Sequence, residues 1–287
     1  MSNIVIIGAA RSGTNMLRDM LTKIPGFATW PCDEINYIWR YGLKTVSHDE
    51  FSKDDVTPKN KRYIKKKFDW VRNKYKAGHV VEKTCANSLR VDYINELLED
   101  VKFIFIFRDP IDVISSAEIR WKASLELDYI LKKARFIPIS DVPYYAFNYF
   151  KNRLIKLFDK EKRLSYWGPK YKGFEMDSKR MDAIEISAKQ WEKCVLASYK
   201  SFMNMDKSKY ITIEYNDFVS NPVNNLKRIL TFVGEDVSEG EIIKICQNVS
   251  KNSVGKGYKK LSDMQIKKAA NITENIYKNL KDELIKT

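Results

Sequence analysis

Ile4-Val5-Ile6-Ile7-Gly8-Ala9-Ala10-Arg11-Ser12-Gly13-Thr14-Asn15 decides the fold of this 287-residue chain. Four consecutive β-branched residues read as a strand covered on both faces. A tight loop bracketed by Gly8 and Gly13 follows. Helical periodicity then runs from about Met16 to Lys23 and stops near Pro25. A loop of this kind turns its backbone N–H groups toward one anion, and the N-terminus of the next helix adds its dipole. Thr14 and Asn15 contribute side-chain donors, and Arg11 a positive charge. A Walker A loop would end in Gly-Lys-Ser/Thr; here Thr14 follows Gly13 directly and the cation lies earlier. The plainer reading is an ordinary strand-to-helix turn. The position straight behind a buried strand favours the anion site.

Further apolar runs at Val80 to Val81, Phe103 to Phe107 and Tyr210 to Ile213 read as buried strands. Helical patterns run from Pro58 to Tyr75, Leu89 to Leu98, Ile184 to Met203 and Pro222 to Val233. A Lys-rich amphipathic helix closes the chain from Ser262 to Ile285. Strands alternating with helices predict an α/β fold, a P-loop-like three-layer sandwich on a central parallel sheet. The stretch from Arg120 to Ala188 has no strand pattern but is dense in aromatics, including Phe136, Tyr144, Tyr149, Phe150 and Tyr166. With no repeat and no Gly/Ser linker, the expectation is one domain over 1–287, with a helical and loop insertion at about 120–188.

Hydrophobic residues make up 44% of the chain, enough for a sizeable core. No apolar run reaches the length of a membrane span. The strand from Ile4 leaves no room for a leader peptide, so a cytoplasmic protein is expected. The four cysteines stand singly and only two histidines, His48 and His79, are available, which argues against a zinc site or a disulfide framework. The net charge of +14 favours an anionic ligand: a nucleotide, an acidic glycan or a nucleic acid. Most lysines read as solvated surface, with one dense run at Lys65, Lys66 and Lys67.

A second anion site is legible after Phe107. Arg108-Asp109-Pro110 leaves the strand, Pro110 suits the first turn of a helix, and Ser115 and Ser116 lie about two turns in. An arginine at a strand end with serines on the next helix can grip a phosphate through charge-assisted hydrogen bonds. Alternatively Arg108 pairs with Asp109 or Asp112. Together the two sites point to a nucleotide with phosphates at separated positions.

The combination resembles the sulfotransferases that use 3′-phosphoadenosine-5′-phosphosulfate (PAPS) and release 3′,5′-adenosine bisphosphate (PAP). The resemblance implies that Arg11, Ser12, Gly13, Thr14 and Asn15 hold the 5′-phosphosulfate and that Arg108 and Ser116 hold the 3′-phosphate. Glu82-Lys83-Thr84 is similar to the family's Glu-Lys-Thr-Pro signature, with Cys85 in place of the proline. Glu214-Tyr215-Asn216-Asp217-Phe218 with Asn221-Pro222 and Gly234 is similar to a later signature, which places Tyr215 on the adenine. Tyr166-Trp167-Gly168-Pro169 with Gln190-Trp191 looks like segments of bacterial members. Gly255-Lys256-Gly257 is similar to a loop closing over the cofactor, which makes Lys256 and Gly257 cofactor contacts.

Sulfuryl transfer calls for positioning, one base and one cation on the leaving oxygen. The matching lysine assigns the cation to Lys83. For the base, Glu82 matches glycosaminoglycan-type members and Glu34 falls near the acidic base of protein-tyrosine-type members; Glu82 is slightly favoured, and both stay open. The carboxylate that is not the base would orient Lys83 or Arg11 as an ion pair. His79, at the far end of its strand, and His48, in a polar stretch, read as structural or solvent-facing. The acceptor is expected to be a hydroxyl or amine, first of all on a carbohydrate or other anionic molecule, with no nucleic acid and no metal involved. Two other readings compete: a P-loop small-molecule or nucleotide kinase, and a non-catalytic basic nucleic-acid-binding protein, which would need a clustered basic face with interleaved aromatics.

Overall fold

The computed structural model describes residues 1–121, 134–147 and 167–284. Tyr149, Phe150 and Tyr166 of the aromatic-rich stretch lie outside the described residues. Among the described residues five strands form one sheet in the order β2-β3-β1-β4-β5, every pair parallel. They are β1 (Ser2–Ile7), β2 (Phe27–Ala28), β3 (His79–Lys83), β4 (Val101–Phe107) and β5 (Tyr210–Glu214). Alternate residues of β1 feed opposite cores. Val5 and Ile7 join Phe103, Phe105 and Phe107 on one face, and Ile4 and Ile6 join Ile104 and Ile106 on the other. Helices cover both faces, which is why these strands are continuously apolar.

The helices between them are α1 (Thr14–Leu21), α2 (Asn36–Trp39), α3 (Pro58–Tyr75), α4 (Val91–Leu97) and α5 (Pro110–Trp121). After the aromatic-rich stretch come α6 (Phe174–Arg180) and α7 (Ala183–Met203). Beyond β5 come α8 (Tyr215–Ser220), α9 (Pro222–Val233), α10 (Glu239–Cys246), α11 (Lys256–Lys260) and α12 (Asp263–Leu284). Local signals set their ends. Thr57 accepts from the Asn60 N–H and Asn60 from the Thr57 N–H, a reciprocal box that starts α3. Gly234, left-handed at φ +91°, stops α9. The structure begins α1 at Thr14, two residues before the periodicity does, because left-handed Gly13 turns the chain straight into the helix. It also adds β2, whose two residues are too few to show a period.

Parallel pairing sends every strand's carboxyl end to the same edge. Ile6 lies beside Lys83, Ile7 beside Phe105 and Phe107 beside Glu214. The loops that follow β1, β3, β4 and β5 therefore converge there, the usual place for a ligand in an open α/β sheet. The amino edge is closed by His79. Its Nδ1 bonds Ser2 Oγ at 2.7 Å and its Nε2 donates to Glu235 Oε1 at 2.6 Å. Its ring stacks on Phe27 at 4.6 Å. This histidine ties β1, β3 and the end of α9 together, far from the carboxyl edge.

Candidate active site

The loop after β1 is built for close approach. A Cβ on Gly8 would meet the Ile106 carbonyl oxygen at 2.5 Å, so the loop rests directly on β4. Gly13 has φ +95°, and a Cβ there would lie 2.5 Å from Cδ2 of Tyr215. Arg11 holds a left-handed φ of +72°, a conformation that costs a non-glycine residue energy and recurs at functional turns. The Ser12 hydroxyl is fully buried and has no hydrogen-bond partner among the described residues. Among the described residues no side chain caps the first turn of α1. Orphaned donors at an uncapped helix start fit an anion such as the phosphosulfate group.

Arg108 and Ser116 join this loop from β4 and α5. Arg11 Nε donates to Ser116 Oγ at 2.9 Å, and Arg108 Nη1 donates to the Arg11 carbonyl oxygen at 3.3 Å. Arg108 Nη2 donates to the Ser253 carbonyl oxygen at 2.6 Å. The guanidinium sits over the Tyr215 ring, 4.4 Å from its centroid, and the Tyr215 hydroxyl bonds Ser253 Oγ at 2.7 Å. The buried Nε of Arg108 has no partner among the described residues. Burial, and after it the nearby charges of Arg120 and Arg108, pull the Arg11 pKa below its ordinary value. An anion bound here would relieve that crowding of cations.

Asp112, one of the two partners expected for Arg108, approaches it at 3.6 Å and has a second task. It accepts from the N–H groups of Gly255 and Gly257 at 2.8 and 2.7 Å, fixing that loop against α5. A Cβ on Gly257 would lie 2.4 Å from the Ile111 carbonyl oxygen, so this contact requires glycine. Lys256 between them is exposed. Asp109 instead caps α5, accepting from the Ile111 N–H at 2.9 Å.

At the end of β3, alternation sends Glu82 and Lys83 to opposite faces. Lys83, 3% exposed, points its Nζ to Glu34 Oε1 at 3.1 Å and to Asp33 Oδ1 at 3.3 Å. Burial opposes its charge, but Glu34 leads the neighbours that outweigh it, and the pKa stands above the ordinary lysine value. Glu34 Oε1 also accepts from the Cys85 N–H at 3.2 Å. Asp33 is held in turn by Arg18 of α1, whose Nη1 donates to its carboxylate at 2.7 Å.

Glu82 sits elsewhere. It is 1% exposed, and its two oxygens accept from Thr84 Oγ1 at 2.5 Å and Asn87 Nδ2 at 2.6 Å. Burial raises its pKa to about 7. Asn87 passes the network to Arg90, which donates to Asn87 Oδ1 and to Asn36 Oδ1. The structure thus brings Arg11, Ser12, Gly13, Thr14, Arg108, Ser116 and Tyr215 into one cluster, with the Gly255–Gly257 loop beside it. It places Lys83 with Glu34 and sets Glu82 apart in a closed polar network. Sequence reasoning missed Asp33 and Ser253. The adjacency of two acids at 33 and 34 was the only signal for the first; nothing marked the second.

Residues 3–129 match the family model described as the sulfotransferase family. In fold the chain is similar to the sulfotransferase domain from the curacin biosynthetic pathway, with a TM-score of 0.55 at 12% identity over 94% of this chain and 96% of that one. It is similar to a sulfotransferase from Alicyclobacillus acidocaldarius, with a TM-score of 0.51 at 14% identity over 99% and 96%. The mouse sulfotransferase SULT7A1, solved in complex with PAP, gives 0.50 at 16% over 98% and 89%. No curated protein sequence matches the chain. Among the described residues no helix is long and apolar enough to cross a membrane, and no group of His, Cys, Asp and Glu is placed to hold a metal. The structural likenesses establish the fold, and the segment similar to the sulfotransferase family model runs through the first loop, β3, Arg108 and Ser116.

Proposed function

We propose that this protein transfers the sulfuryl group of PAPS to a hydroxyl or amine, with Glu34 as the base and Lys83 as the cation at the leaving oxygen. The observation that carries the reading is the joining of two strand-end sites into one cationic cluster. Arg11 bonds Ser116, and Arg108 bonds the Arg11 carbonyl, without a Walker lysine. Bound PAPS supplies an activated sulfuryl group. The chain's own part is to bind, orient and move a proton. Residues Arg11 to Asn15 would hold the phosphosulfate end, Arg108 and Ser116 the 3′-phosphate, and Tyr215 the adenine. Lys256 and Gly257 would close over it, with Asp112 as the latch.

The choice of Glu34 rests on access. A base must reach the acceptor's proton. Glu34 has a partly exposed side chain and sits on the lysine that serves the leaving oxygen. Glu82 has both oxygens committed within a closed network. When Glu34 takes a proton, Asp33 keeps Lys83 paired and in place.

The test is transfer of labelled sulfate from PAPS to an acceptor panel, beside direct measurement of PAP binding. Glu34→Gln should bind PAP normally and lose about 10²- to 10⁴-fold in turnover. Glu82→Gln should retain turnover, and Arg108→Ala should lose PAP binding. A protein that binds no PAP and sulfates no acceptor sinks the proposal; full turnover in Glu34→Gln sinks the assignment of the base. A kinase would require a lysine after Gly13, where Thr14 stands.

A further inference from the structure

The lysines do not all scatter over the surface. Helix α3 carries eight basic residues against one acid, Asp69. Its buried side is Asn60, Ile64, Phe68 and Val71. At 100° per residue one flank of the helix collects Lys59, Tyr63, Lys66, Lys67, Trp70 and Lys74 into a single stripe about 100° wide. That stripe runs about 20 Å along the helix. Its four lysines have no acidic partner among the described residues, whereas Lys61 and Lys65 on the other flank lie 3.9 Å from Glu99.

The aromatics hold three of the four ammonium groups, those of Lys59, Lys67 and Lys74. Lys67 lies over the Tyr63 ring at 5.2 Å and Lys74 over Trp70 at 4.7 Å. Lys59 lies over Tyr41 at 5.8 Å, and Tyr41 stacks on Tyr63 at 3.8 Å. Phe136 supports Trp70 edge-on at 5.9 Å. Cation–π contacts restrain these long side chains before any ligand arrives, so less rotamer entropy is lost on binding. Lys59 to Lys66 and Lys67 to Lys74 are each seven residues, about 10 Å, apart along the helix axis. The result is a row of positive charge at three levels about 10 Å apart, with Lys66 and Lys67 sharing the middle one.

The stripe also points toward the active site. α3 runs into β3 through Ala77 and Gly78, so its C-terminus lies at the amino edge of the sheet and its Pro58 end at the carboxyl edge. Tyr41, which packs on Tyr63, lies two residues beyond α2, and α2 starts two residues after Glu34.

We propose that this face of α3 binds a linear acidic polysaccharide and leads it toward Glu34 as the acceptor. The binding part stands on the stripe alone, and the acceptor part rests on the sulfuryl-transfer reading above. A regularly charged, stiff chain matches a row of charge at regular levels. A flexible acidic peptide must be ordered first. A nucleic acid would need open ring faces for its bases, and here Tyr41 and Tyr63 cover each other.

The experiment measures binding of a heparin octasaccharide to the full chain at two salt concentrations. A dextran octasaccharide, an oligoglutamate peptide and a single-stranded DNA of matched charge serve as comparisons. Lys59, Lys66, Lys67 and Lys74 are then changed together to Gln in one variant and to Arg in another. The expected result is salt-dependent octasaccharide binding that falls roughly tenfold or more in the Gln variant and survives in the Arg variant. PAP binding should be equal in all three proteins, which also shows that each is folded. Unchanged binding in the Gln variant overturns the proposal, as does DNA or peptide binding at least as tightly as the octasaccharide. A wild type that binds the octasaccharide through these lysines but binds no PAP upholds the surface and removes the transfer reading.

Discussion

Replacing Glu82 with Gln should stabilise the protein at pH 8 and do little at pH 4.5. Glu82 is 1% exposed, and burial raises its pKa from an ordinary 4.5 to about 7. Between these values the unfolded chain ionises the carboxyl while the folded protein keeps it neutral. The folded state then binds more protons, so stability falls as pH rises through this window. The full effect is present below pH 4.5 and is lost above pH 7, with a total of about 3 kcal/mol. Gln keeps the shape and never ionises. Its Oε1 can accept from Asn87, and its Nε2 can donate to Thr84 Oγ1, which already accepts from the Ile35 N–H at 3.1 Å. Arg90 keeps its bonds to Asn87 and Asn36. Denaturant unfolding of both proteins from pH 4.5 to 8 is the assay. The wild-type curve should descend and the Gln curve run flatter, the two separating by about 3 kcal/mol. Parallel curves, or a Gln variant weaker at pH 8 than at pH 5, would refute the claim that desolvation of Glu82 outweighs the hydrogen bonds it accepts.

Gly13→Ala should weaken PAP binding and cost about 1–3 kcal/mol in unfolding free energy, since its Cβ meets the Tyr215 ring at 2.5 Å in a left-handed turn; titration with PAP and denaturant melts check both. His79→Ala should lower stability by about 1–3 kcal/mol, because Ser2 loses its partner and Phe27 its stacking ring. PAP affinity should not change in that variant, as the titration would show, because His79 sits at the opposite edge of the sheet.

Much of this was written into the chain. The four β-branched residues from Ile4 to Ile7 dictate a strand covered on both faces, because no other arrangement buries both sides of it. Gly8 and Gly13 dictate the loop, because β4 and Tyr215 leave no room for a Cβ. The eight-residue step from Arg108 to Ser116 crosses the strand end and then under two turns of α5, a spacing readable without coordinates. Tertiary structure alone decided what meets across the sheet. Glu82 and Lys83 are neighbours in sequence, yet the pleat of β3 sends one into a closed network and the other to Glu34, 49 residues away. Asp112 reads as a partner of Arg108, and only the fold shows it also holding Gly255 and Gly257. The Lys65 to Lys67 run reads as solvated surface, and only the winding of α3 sorts Lys66 and Lys67 onto an aromatic-backed stripe and Lys65 onto the other flank. Local pattern fixes which elements form, because strand and helix depend on near neighbours. Which side chain faces which depends on register and packing between distant segments, and those are set only when the sheet closes around Ile4 to Asn15.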